Sequence, residues 1–278
     1  MKILITGRPG IGKSTVLSKV IRTLSDNAFG IIAHELRDKN EQRVGFRAEM
    51  VQPPKTSALF AHSVDIQSDV QVDIFSVDVN VIDTFVLNAL HPEQEKGVAI
   101  IDEIGRMQSF SKPFMKRVQE LINHPDYLLV ASIVSDPEPW SLPLKNNLNI
   151  ILIEVTDTNR EQLPELISLL LQTSNQIHQL SMESIQQAKA LLREYFEKNQ
   201  FIQINKLLKN AIPYILEEQF RILDQSTVRI QGFTREHLVS YSDKHLSCDC
   251  DLFLGEGEYQ QPGECSHIQA VKLLLADQ

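Results

Sequence analysis

The stretch Gly7-Arg8-Pro9-Gly10-Ile11-Gly12-Lys13-Ser14-Thr15 constrains this chain more than any other. It reads G-x-x-x-x-G-K-S. An apolar run, Ile3-Leu4-Ile5-Thr6, precedes it, and apolar residues at 16, 17, 20, 21 and 24 follow it with a helical period. Strand, glycine-rich turn and helix in that order are the context a phosphate-binding loop requires. Gly7, Gly10 and Gly12 free the backbone so that successive N–H groups can face an anion, and the helix start adds unpaired N–H groups and a positive dipole end. Lys13 then reaches the β- and γ-phosphates, the Ser14 hydroxyl offers a ligand to Mg2+, and Thr15 bonds the α-phosphate. All of residues 7 to 15 are candidate nucleotide contacts.

A second stretch completes the first. Gly97-Val98-Ala99-Ile100-Ile101-Asp102-Glu103-Ile104-Gly105-Arg106-Met107 sets apolar residues before two acids, the Walker B arrangement. A buried strand over Val98–Ile101 delivers Asp102 at its C-terminal end, beside the phosphates, where it holds Mg2+ through a water. Glu103 is placed to orient or deprotonate an attacking water. A P-loop kinase passes its phosphoryl group to a substrate hydroxyl or phosphate and has no need of a water-activating carboxylate, so Glu103 favours hydrolysis. The catalytic candidates are Lys13 and Glu103; the Mg2+ candidates are Ser14 and Asp102.

Around these motifs, strands alternate with helices. Phe29–His34 reads as a strand with Val44–Val51 returning as a hairpin partner, 78–90 and 112–123 read as helices, and 127–134 and 149–155 as buried strands. Residues 52–76 show no usable period. Ser132 is either a γ-phosphate sensor or a plain buried hydroxyl. Arg8 and Arg160 are either phosphate contacts or solvated side chains. The expectation over 1–171 is an α/β, doubly wound P-loop domain with a mostly parallel sheet.

Residues 1–171 resemble the cancer-related, THEP-type nucleoside triphosphatases, in four blocks in order. These are Gly7–Thr15, Arg43-Val44-Gly45-Phe46, Asp102–Met107, and Thr156-Asp157-Thr158-Asn159-Arg160-Glu161-Gln162-Leu163-Pro164. The resemblance implies hydrolysis of a nucleoside triphosphate, ATP or GTP, to the diphosphate and phosphate. Arg8 stands where the family usually has Pro, and Gln108-Ser109 where it has an acidic and an apolar residue.

Beyond 171, a Gln- and Ser-rich run over 172–187 reads as the domain boundary. Ser181 caps a helix to about Lys198, and Asn205 to Phe220 reads as a second helix that Pro213 kinks or splits. Residues 172–223 form a helical connector in this reading. The remainder, 224–278, opens with a β-hairpin signal and holds all three cysteines of the chain. Cys248-Asp249-Cys250 puts two thiols on one side of an extended segment, and Cys265-Ser266-His267 opens a final helix. Three thiolates and an imidazole, Cys248, Cys250, Cys265 and His267, suit a closed tetrahedral Zn2+ site. The segment resembles a SWIM zinc finger, a β-hairpin-then-helix module associated with DNA or protein binding. Its nine acidic and four basic residues give it a net −5, and the chain carries −9. Phosphate-binding surfaces gather Lys and Arg, so a protein partner is favoured over nucleic acid. His245 is a spare imidazole.

With no apolar run of membrane-spanning length and no signal-peptide pattern, a cytoplasmic protein is expected. Two alternatives stay open: a nucleotide kinase, and a nucleotide-switched module in which the zinc finger carries the function.

Overall fold

The computed structural model describes residues 1–24, 27–92, 96–232, 234–242, 245–250 and 264–276. It separates into two compact units, Met1–Ser168 and Leu169–Gln278.

In the first unit β1 (Lys2–Thr6) runs into the glycine loop and α1 (Lys13–Ile21). The strands β2 (Ala28–Arg37), β3 (Arg43–Met50), β4 (Ser57–His62), β5 (Gln71–Val72) and β6 (Phe75–Val77) follow. Helix α2 comprises Val79–Val81, a π turn Ile82–Val86 and Leu87–Ala89, with Asp78 Oδ1 accepting from Val81 N at its start. Then come β7 (Gly97–Ile104), α3 (Arg106–Ser109), α4 (Lys112–Asn123), β8 (Tyr127–Ile133), α5 (Leu142–Lys145), β9 (Ile151–Glu154) and the start of α6 (Leu163–Ile177), whose residues from Leu169 on count with the second unit. Among the described residues nine strands make one sheet, ordered β5-β6-β4-β3-β2-β7-β8-β1-β9.

The sheet has two halves. From β2 through β7, β8 and β1 to β9 every pairing is parallel, and from β2 through β3 and β4 to β6 and β5 every pairing is antiparallel. Parallel strands are covered on both faces, and their residues show it: Ile3, Leu4, Ile5, Ile100, Ile101, Leu129, Val130 and Ala131 are all fully buried. The halves meet on β2, whose residues 28–31 pair with β7 and 31–37 with β3. Gly30 marks the seam. Its φ is +116°, and a Cβ there would strike the Ile100 carbonyl. Its N–H goes to Gln52 Oε1 at 3.0 Å and its carbonyl accepts from Val51 N at 2.9 Å.

The antiparallel half includes β4 and the β5–β6 hairpin, drawn from the stretch whose period was unreadable. Helix α4 is built as its sequence demands, with Ser111 capping Phe114 N at 3.0 Å and Phe114, Val118, Leu121 and Ile122 facing the core. Its C-terminal end is held by Lys2, a buried lysine whose Nζ donates to the carbonyls of Leu121 (2.6 Å), His124 (2.7 Å) and Tyr127 (2.5 Å).

In the second unit α7 (Met182–Glu197) is capped by Ser181. Helix α8 comprises Phe201–Lys206, a π turn Leu207–Ala211 and Ile212–Leu216. The π turn falls just before Pro213, where a missing N–H disturbs the helical ladder. The helix expected to reach Phe220 stops at Leu216, and Phe220 begins a strand. Glu218 adopts φ +53° while Gln219 N bonds Tyr214 O and Glu218 N bonds Ile215 O, a left-handed helix stop made without glycine. Strands β10 (Phe220–Ile222), β11 (Thr227–Gln231), β12 (Glu236–Ser242) and β13 (His245–Cys248) form an antiparallel sheet in chain order, and α9 (Ser266–Leu275) follows. Among the described residues no helix is long and apolar enough to cross a membrane.

Candidate functional site

The loop between β1 and α1 opens into a cleft of about 610 Å³. Pro9, Gly10, Gly12, Lys13, Ser14 and Thr15 line one side, together with Asp102 and Glu103 from the end of β7. The far wall comes from the antiparallel half: His34, Glu35, Arg43, Phe46, Phe60, Val72 and Asp73. Of the expected loop residues, Gly7, Arg8 and Ile11 do not line it. Gly7 seats the loop, since with φ +143° it lies where a Cβ would come 2.8 Å from the Val155 carbonyl. Ile11 is buried as a core side chain. Gly12, with φ +110°, precedes α1 and leaves the helix N-terminus without a side-chain cap, open to an anion.

Lys13 Nζ donates to the Gly7 carbonyl at 2.9 Å and stands 4.0 Å from Glu103 Oε2. Asp102 is only 2% exposed. Its Oδ1 accepts from Ser132 Oγ at 2.6 Å, and its Oδ2 is buried with no hydrogen-bond partner. Burial raises the Asp102 pKa, against the pull of the Ser132 bond, the neighbouring Ser14 hydroxyl and the Lys13 charge. Burial also raises Glu103, with Lys13 opposing and Asp102 reinforcing the rise. An orphaned carboxylate oxygen beside a serine hydroxyl and an anion-binding loop is the donor set Mg2+ takes, so these residues fit that ion.

Sequence reasoning missed several neighbours. Gly105 is glycine for want of space: a Cβ would meet Gln108 Oε1 at 2.9 Å and Glu103 Oε1 at 3.1 Å. Gln108, buried and lining the cleft, and Glu103 thus both crowd Gly105. Arg8 and Arg160, whose roles were open, both bond Asp157, at 3.0 Å and 3.3 Å, on the exposed surface. Asn159 is the buried hub of that loop, accepting from Thr156 N and donating to Glu154 O, both at 2.8 Å.

In the second unit Cys248, Cys250, Cys265 and His267 are all buried, with ligand atoms within 4.8 Å of one another. Cys248 ends β13, Cys265 caps α9 and His267 lies in its first turn. Hydrogen bonding between the Cys248 and Cys265 thiols lowers the Cys265 pKa, and the same interaction with burial pushes Cys248 up. Three buried sulfurs and an imidazole gathered this closely suit a soft divalent cation, and the donor set fits Zn2+. His267 is sandwiched between the rings of His237 (4.4 Å) and Tyr214 (5.5 Å), and His237 Nδ1 lies 3.1 Å from Asp249 Oδ1. His245 lies outside the cluster, exposed at the start of β13.

A glycine loop between a buried parallel strand and a helix, facing an acidic pair at the end of a parallel strand one place removed across β8, defines a P-loop NTPase. The family described as NTPase matches residues 2–168. Nucleoside-triphosphatase THEP1 of Aquifex aeolicus is 34% identical over 179 residues, covering 61% of this chain and 99% of that protein. Nucleoside-triphosphatase THEP1 of Thermotoga maritima is 32% identical over 172 residues, covering 61% and 95%. The crystal structure of the Aquifex aeolicus THEP1 superposes with a TM-score of 0.54 at 30% identity, covering 60% of this chain and 96% of that one. The chain belongs to the THEP1-type family of nucleoside triphosphatases.

Proposed function

We propose that residues 1–171 hydrolyse a nucleoside triphosphate to the diphosphate and phosphate in a Mg2+-dependent reaction. The observation that carries this is Asp102, buried with one oxygen bonded and the other orphaned, next to Glu103 and Lys13 in one cleft. Residues 7 to 15 cradle the phosphates with backbone N–H groups. Lys13 exchanges its contact with the Gly7 carbonyl for the β- and γ-phosphates. Ser14 and Asp102 would hold Mg2+, which when bound neutralises charge on the β- and γ-phosphate oxygens. Glu103 orients a water in line with the γ-phosphorus and takes its proton as the new P–O bond forms and the bond to the bridging oxygen breaks. A raised pKa makes Glu103 a stronger base than a solvated glutamate.

In the same reading residues 172–223 connect to a zinc-binding module over 224–278, of SWIM type, in which Cys248, Cys250, Cys265 and His267 hold Zn2+ as a structural ion. The acidic composition of that segment favours a protein partner over nucleic acid. Metal analysis, together with phosphate release from ATP, GTP, CTP and UTP with and without DNA, tests both halves. DNA-stimulated hydrolysis that weakens steeply with salt would overturn the charge argument, and turnover only with an added nucleotide acceptor would replace the hydrolase with a kinase.

A further inference from the structure

Arg106 is a cleft cation that the reaction above leaves unused. It follows Gly105, where backbone is pressed against the Glu103 carboxylate, and it opens α3. Its side chain lines the same cleft as Lys13 and Asp102. The guanidinium is held by two acids from the segment after β8: Nε donates to Glu138 Oε1 at 2.5 Å and Nη2 to Asp136 Oδ2 at 3.0 Å. Asp136 itself lines the cleft. The Arg106, Asp136 and Glu138 side chains are 48%, 64% and 26% exposed, so the contacts are reached and screened by water. The other arginines near the loop are placed differently. Arg8 and Arg160 share Asp157 and do not line the cleft, while Arg43 sits on the far wall bonded to Glu35.

We propose that Arg106 is a switchable charge donor for phosphoryl transfer: Asp136 and Glu138 park its guanidinium while the cleft is empty, and the γ-phosphate of a bound triphosphate draws it across. A triphosphate concentrates more negative charge than the two carboxylates and holds it deeper in the cleft, where electrostatic attraction is less screened. An arginine supplied from within the chain stabilises charge spreading over the equatorial oxygens in the transition state. The proposal rests on the hydrolase reading.

Full-length wild type, Arg106→Ala, Arg106→Gln and a Lys13→Ala control are compared by steady-state phosphate release and by Mg-ADP affinity with and without aluminium fluoride, which mimics the transferring phosphoryl group. The Arg106→Ala protein is expected to bind ATP and ADP within about threefold of wild type, to lose roughly 100-fold in kcat, and to lose the tightening that aluminium fluoride confers. Asp136→Asn with Glu138→Gln frees the arginine without altering it and should tighten ATP binding. A kcat within threefold of wild type in Arg106→Ala, with aluminium fluoride tightening intact, overturns the proposal. If that variant does not fold, Arg106→Gln, which keeps a polar stem and loses the charge, decides by the same two readouts. Wild type that releases no phosphate from any triphosphate removes the hydrolase reading, and this proposal with it.

Discussion

Ser132 Oγ donates a 2.6 Å hydrogen bond to Asp102 Oδ1 from the neighbouring strand, and both side chains are sealed from water. The bond fixes one carboxylate oxygen and leaves the other, buried, without a hydrogen-bond partner. Ser132→Ala should leave the fold intact and weaken Mg2+ by about tenfold, as loss of such a supporting contact commonly does. A Mg2+ titration of phosphate release reads this directly, and an unchanged midpoint would mean the serine is only packing.

Asp102 itself trades stability for function. Its pKa is raised above 3.8 by burial, so the ionised form costs stability once the pH exceeds the unfolded-state value. Asp102→Asn should therefore melt higher than wild type at pH 7 in the absence of nucleotide, with the gap closing below about pH 4. The same variant should gain no thermal protection from Mg-ATP.

The base role proposed for Glu103 predicts where the acidic limb of the reaction lies. Because its pKa is raised above 4.5, the base is lost by protonation at a higher pH than a solvated glutamate would require. The limb of kcat against pH should lie correspondingly high. Gln108→Glu adds a further carboxylate to the cleft that already holds Asp102 and Glu103 and should move that limb further up, while Glu103→Gln should bind Mg-ATP and lose most turnover.

Lys2 is a stability residue with no part in the chemistry. Replacing it with Met leaves two carbonyls at the end of α4 and one at the start of β8 without their cationic donor. A loss of at least about 2 kcal/mol in chemical denaturation is expected, with nucleotide affinity unchanged in the folded fraction.

For the cysteine cluster, about one equivalent of zinc should accompany the purified protein, and Cys248→Ser or Cys265→Ser should lose it. Metal binding in so small a module is part of its folding energy. Proteolysis should then cut beyond residue 224 in those variants, while phosphate release continues.

What could be read in the sequence was what spacing within a few residues dictates. Gly7 to Thr15, Asp102-Glu103 and the Cys/His pairs are contiguous, so their local geometry is implied by order alone. The strands β4, β5 and β6 escaped because pieces of two to six residues carry no period. The end of α8 escaped because Glu218, and not a glycine, adopts the left-handed conformation. Arg106 meets its acids across 30 and 32 residues, and His237 and Tyr214 reach His267 only through folding. No local pattern encodes such meetings.

The seam at Gly30 has one further consequence. Lys13, Ser14, Asp102, Glu103 and Ser132 all belong to the parallel ribbon or the helix it feeds, whereas Glu35, Arg43, Phe46, Phe60 and Val72 belong to the antiparallel one. Two kinds of strand pairing thus meet in a single cavity. Substitutions along the hairpins should therefore reshape the far wall while leaving the residues proposed for the chemistry where they stand.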